Sequence, residues 1–265
     1  MSGPAPRPTS APAVVVRELD LWYGAFHALR RVSLDVPARG VTALIGPSGC
    51  GKSTLLRCMN RMNDLVPGVR VQGTLQVHGA DAYAPRTDVE ALRRRVGMVF
   101  QRPNPFPLSV FDNVAYGPRA HGAPTRGARA RAALADRVEG ALRAVGLWEA
   151  LADRLDEDAL RLAPEQQQRL CVARMLATEP EVLLFDEPCS ALDPIATRLV
   201  EELMLALGER WPVIVVTHSM QQARRCSAHA AFMLLGELVE AGATAELFER
   251  ARYPRTADYV AGRFG

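Results

Sequence analysis

The nine residues Gly46-Pro47-Ser48-Gly49-Cys50-Gly51-Lys52-Ser53-Thr54 contain the only lysine of this chain. They follow the spacing G-x-x-x-x-G-K-[ST]. In that spacing successive backbone N–H groups wrap phosphate, the lysine reaches the β- and γ-phosphates, and the following hydroxyl meets Mg²⁺. Of the 32 lysine and arginine residues, 31 are arginine. Arginine's planar fork cannot pass a narrow ring of amides where a compact ammonium on a thin stem can. The chain has kept lysine at the place where that difference matters, and the motif predicts binding of a nucleoside triphosphate with Mg²⁺.

Further polar residues end apolar runs. Asp186-Glu187 follows Val182-Leu183-Leu184-Phe185, Thr217-His218 follows Val213-Ile214-Val215-Val216, and Gln101 follows Val96 to Phe100. Each suits phosphoryl transfer to water. The amides of Gly49 to Ser53 would cradle the phosphates, and Ser53 and Asp186 would hold Mg²⁺ and its water shell. Glu187 would orient or deprotonate the attacking water, and His218 would bridge it to the γ-phosphate. Gln101 can both coordinate the metal and donate to water.

These residues need elements to bring them together. The run Val41 to Ile45 ends at the glycine loop, and a helix carrying Leu55, Leu56 and Met59 is expected to begin near Lys52. Strand, glycine loop and helix form the context of a phosphate loop. The runs 182–185 and 213–216 are apolar throughout, as in a parallel sheet covered on both faces. Ligands gather at the carboxyl ends of such strands, which puts Lys52, Asp186, Glu187 and His218 around one pocket. A strand is expected from Val14 to a turn at Gly24, and a hairpin over 231–240 about Gly236-Glu237. Helices are expected over 128–152 and 166–177, and Pro103, Pro105 and Pro107 exclude one directly after Gln101.

A length of 265 residues, 48% hydrophobic and 23% charged, suits one large domain with a smaller lobe. A net charge of +3 with dispersed arginines gives no nucleic-acid footprint. Arg93-Arg94-Arg95 reads as a solvated helix face. No run is long enough to span a bilayer. Residues 1–13 read as a disordered tail without a signal-peptide core. Cys50, Cys58, Cys171, Cys189 and Cys226 lack C-x-x-C spacing and read as reduced, partly buried thiols.

Taken together, the lysine loop, Gln101, the Gln-rich helix start, Asp186-Glu187-Pro188, Ser190-Ala191-Leu192-Asp193 and His218 resemble the ATPase subunit of ATP-binding-cassette transporters. Three segments resemble more narrowly the ATPase of bacterial phosphate-specific importers. They are Gln101-Arg102-Pro103-Asn104-Pro105-Phe106-Pro107, Leu234 to Glu240, and the ending Gly262-Arg263-Phe264-Gly265. The resemblance spans residues 14–265. It implies an α/β P-loop core with a mostly parallel sheet, a helical subdomain over about 102–178, and a small antiparallel β lobe. It implies a head-to-tail dimer with a second ATPase subunit, the same chain or a relative. Two permease subunits would dock after Gln101, with an extracytoplasmic phosphate-binding protein beyond, at the cytoplasmic face of the cell membrane. By the same resemblance Tyr23 stacks on adenine, and Asp193 communicates across the dimer. A single cassette without a long insertion argues against the soluble members that act on ribosomes or DNA.

One segment departs from the family. Where its signature loop reads Leu-Ser-Gly-Gly-Gln, this chain has Leu162-Ala163-Pro164-Glu165-Gln166. A hydroxyl, an N–H and a close backbone approach are lost, and a carboxylate is added. The lost hydrogen bond costs about 1.5–3 kcal/mol, and a carboxylate near 4 Å from a phosphate charge costs up to about 4 kcal/mol at an effective dielectric near 20. Two readings stay open: a working transport ATPase, or a hydrolysis-impaired or regulatory subunit that binds ATP and needs a partner with an intact loop.

Overall fold

The computed structural model describes residues 11–124 and 127–263. Strands β1 (Val14–Tyr23) and β2 (Phe26–Val36) form a long antiparallel pair. Its turn holds Gly24 at φ +58°, a conformation glycine adopts without cost. Strand β3 (Gly40–Ile45) runs into the glycine loop and helix α1 (Lys52–Cys58). The chain then returns through β4 (Val69–Val77) and β5 (Ala80–Asp81), completing a four-stranded antiparallel lobe in the order β2-β1-β4-β5. Helix α2 (Val89–Arg95) and strand β6 (Val96–Val99) precede four helices: α3 (Val110–Ala120), α4 (Ala128–Ala144), α5 (Trp148–Leu151) and α6 (Pro164–Leu176). Strand β7 (Val182–Asp186), α7 (Pro194–Gly208), β8 (Pro212–Val216) and α8 (Met220–Cys226) continue the core. The hairpin β9 (His229–Leu234) and β10 (Glu237–Ala243), with α9 (Thr244–Glu249) and α10 (Pro254–Val260), completes it.

The main sheet has the order β10-β9-β3-β8-β7-β6, parallel except for the β9/β10 hairpin. Its two faces feed two cores. Leu183, Phe185, Val213 and Val215 pack under α3, α4, α6 and α7, whereas Val182, Leu184, Ile214 and Val216 pack toward α1 and the antiparallel lobe. Alternate side chains therefore enter different cores, and both must be apolar. That explains the unbroken hydrophobic runs. It also brings the ends of β3, β7 and β8 to one sheet edge.

Several expectations are revised. Helix α6 starts at Pro164, two residues earlier than expected, because proline's fixed φ suits a first helical position whose N–H has no partner to lose. The segment 128–152 is not continuous: α4 ends at Ala144 and Gly146 turns the chain at φ +65°. The arginine triplet is no simple solvated face. Arg93 donates to the carbonyls of Asn60 and Arg61, and Arg95 forms a two-pronged pair with Glu181. All five cysteines are free, four of them buried. Residues 1–10 of the expected tail, and Phe264-Gly265 of the C-terminal motif, lie outside the described residues. Among the described residues no helix is long and apolar enough to cross a membrane.

Candidate functional site

Two glycines let the phosphate loop fold as it does. A Cβ on Gly46 would lie 2.2 Å from the Met233 carbonyl, and one on Gly51 would lie 2.9 Å from Leu29. Both residues have positive φ. Any side chain would therefore push the loop off the β-strands behind it. Lys52 opens α1 and is only 4% exposed. Its Nζ donates to the carbonyls of Gly46 and Pro47, each at 2.8 Å, and meets the Cys50 thiol at 3.7 Å. Burial holds the Lys52 pKa below the ordinary lysine value, against the pull of Cys50, Glu187 and Asp186, while burial pushes the Cys50 thiol up.

One turn of α1 addresses the carboxylate of Asp186 at the end of β7. The Ser53 hydroxyl donates to Oδ1 at 2.7 Å, and Arg57, four residues on, donates to Oδ2 at 2.9 Å. Glu187 follows with φ +50°, a left-handed conformation uncommon for a non-glycine residue and typical of functional positions. Its backbone N–H is tied to Val216 at the end of β8. The carboxylate is engaged at both oxygens: Oε1 lies 2.6 Å from His218 Nε2, and Oε2 accepts from Gln101 at 3.4 Å.

A cleft of about 320 Å³ lies in front of the loop, lined by Tyr23, Phe26, Ala28, Ser48, Gly49, Gly51, Lys52, Ser53, Thr54, Glu187 and His218. The other candidates stand elsewhere. Gly46, Pro47 and Cys50 form the back of the loop, where they hold the lysine. Asp186 lies behind Ser53, and Gln101 joins through Glu187. Asp193 does not line the cleft; its carboxylate caps α7, accepting from the N–H groups of Ile195 and Ala196 at 2.8 and 2.9 Å. Both bonds fall on Oδ1, so capping uses one carboxylate oxygen.

Sequence reading missed three residues. Phe26, 65% exposed, faces Tyr23 across the β1/β2 turn and lines the same cleft. Two aromatics flanking a Gly-Ala turn were a usable signal. Arg57 was legible too, since an i+4 spacing from Ser53 puts both on one helix face. Gln168 lies in the Gln-rich helix start, but its role had no local signal, since its partners are 68 and 20 residues away.

The start of α6 carries the atypical loop. Ala163 is the N-cap and offers no side-chain acceptor, although its own N–H reaches Gln166 Oε1 at 3.3 Å. Pro164 is the first helical residue, and Glu165 puts a negative charge in the first turn, where the helix dipole favours an anion. None of these three lines the cleft of its own chain.

The donors present fit ATP and Mg²⁺: a glycine cradle a Cβ would fill, a buried ammonium, and a hydroxyl already 2.7 Å from a carboxylate. The ABC transporter family model matches residues 29–190. The chain belongs to the ABC transporter family. It is an ABC ATPase with the α/β P-loop fold, a mixed sheet, a helical subdomain and an antiparallel β lobe. Among solved structures it is similar to CbiO1 from Clostridium perfringens, described as part of the ABC transporter complex CbiONQ. The identity is 26% and the TM-score 0.78, over 96% of this chain and 97% of that one. It is also similar to a bacterial Atm1-family ABC exporter with ATP bound, at 25% identity and TM-score 0.76. That match covers 98% of this chain and 44% of the exporter chain, so this chain spans less than half the exporter's length.

Proposed function

We propose that this chain is the ATP-hydrolysing subunit of an importer of inorganic phosphate, working beneath two permease subunits at the cytoplasmic face of the cell membrane. The observation that carries the hydrolytic part is the Glu187 carboxylate, held between His218 and Gln101 at the rim of the cleft that contains Lys52. A carboxylate so placed can align a water and take its proton, with His218 fixing its direction. Lys52 and the loop amides bind the phosphates, and Ser53 with Asp186 holds the metal. When bound, Mg²⁺ supplies charge neutralisation for the phosphate oxygens. Tyr23 and Phe26 offer aromatic surface for a base.

Permease docking is supported by the stretch after Gln101. Arg174 on α6 holds Asn104 through two hydrogen bonds and lies over the Phe106 ring, which packs on Tyr116. This fixes a platform beside Leu108 and Tyr116, which are 40% and 50% exposed. The match to a protein described as part of a transporter complex supports membrane partners in general. Import, phosphate and the extracytoplasmic binding protein rest on the Gln101–Pro107 and C-terminal motifs. The test is ATPase turnover and phosphate uptake in vesicles, with and without permease subunits. Turnover that permease leaves unchanged, or uptake of a different solute, would refute this reading.

A second reading is favoured by Ala163-Pro164-Glu165. Glu165 puts a carboxylate at the end of α6 that, in a head-to-tail dimer, would face the other subunit's nucleotide. On this reading two copies bind MgATP but close poorly, and a partner with an intact signature loop completes the site of this chain. Mixing with such a partner should raise turnover above that of either protein alone.

A further inference from the structure

We infer that Gln168 is a positioning residue that ties the helix bearing the atypical loop to both Gln101 and Glu187. Its side chain is fully buried. One amide nitrogen donates both of its protons, to the carbonyl of Phe100 at 3.1 Å and to that of Pro188 at 3.2 Å. Phe100 immediately precedes Gln101, and Pro188 immediately follows Glu187. Beyond the β6/β7 ladder, which ends at Val99 and Phe185, the two segments are joined by the 3.4 Å contact between the Gln101 and Glu187 side chains. A single side chain of α6 thus clamps the backbone beneath both ends of that contact.

The amide is retained at a cost. Its Oε1 is buried and has no hydrogen-bond partner among the described residues. An orphaned buried acceptor is unfavourable, and an apolar side chain of the same shape would avoid it. Packing therefore does not account for glutamine here, whereas bridging two carbonyls does, because only a side chain with two donors on one atom can do it. Glu187 also needs holding, since its left-handed backbone is strained. A shift of α6, whose leading residues Ala163 and Pro164 are exposed, would move both segments at once.

The test is hydrogen exchange of the full chain with Gln168→Met, which keeps the shape and removes both donors. Exchange should rise at least about tenfold together in 100–104 and 187–191, and stay unchanged in 46–54. The affinity for ATP should remain within about twofold. In the assembled transporter kcat should fall with little change in KM, and the loss should be smaller in a Gln101→Ala background, as coupled residues require. Should Gln168→Met fold poorly, Gln168→Asn keeps the amide but is too short to span both carbonyls, and should loosen at least one segment. Exchange unchanged in both segments, or raised equally across the whole chain, overturns the inference. The exchange arm needs no turnover, so its failure is separable from failure of the hydrolytic reading.

Discussion

The loop before α1 and the loop before α6 are both helix N-termini with amides to offer, yet they end in opposite chemistry. The first keeps its glycines, buries a cation and lines a cleft. The second begins with Pro164, which has no N–H, and places Glu165 in the first turn. One end is built to receive an anion, and the other already carries one. On the proposed reading binding and turnover are separable, the first belonging to the chain alone and the second to whatever faces α6.

The sharpest way to break the contrast is Lys52→Ala. It removes the ammonium's charge-assisted hydrogen bonds, each about 1.5–3 kcal/mol, and should weaken ATP binding by at least about 100-fold in a titration of the isolated chain. Restoring Ala163→Ser, Pro164→Gly and Glu165→Gly together should raise homodimer turnover at least about 30-fold, while single-chain affinity stays put. Equal turnover before and after would mean that the α6 end does not limit the reaction. Glu165→Gln separates charge from lost donors; about a tenfold rise is expected, smaller at high salt.

Alkaline titration removes the same cation more gently. Because burial lowers the Lys52 pKa, its charge is lost as pH rises, at a pH below the ordinary value of 10.5. ATP affinity should fall over that range, and a decline beginning only above 10.5 would contradict the burial argument. The smallest effect concerns stability: Ala163→Ser supplies the missing cap, worth about 1 kcal/mol, and should raise Tm by about 2–4 °C.

How far these features could be read in advance depends on how local their causes are. The strand-loop-helix around Lys52, the buried strands and the polar residues at their ends all follow from periodicity and from glycine chemistry within a few residues. The triplet 93–95 was misjudged because its partners, Asn60, Arg61 and Glu181, are distant in sequence. The role of Gln168 was hidden for the same reason. Asp193 adds a structural part to its motif reading: its Oδ1 caps α7. Pro164 marks the reverse case. Its missing N–H looked like damage, yet at the first position of α6 it costs the helix nothing.

The lysine's three protons are not equally occupied. Two meet carbonyl oxygens, and the third faces sulfur, a poor acceptor, 3.7 Å away. If the ammonium turns toward a phosphate in the cleft, giving up the sulfur contact would be the least costly of its three exchanges.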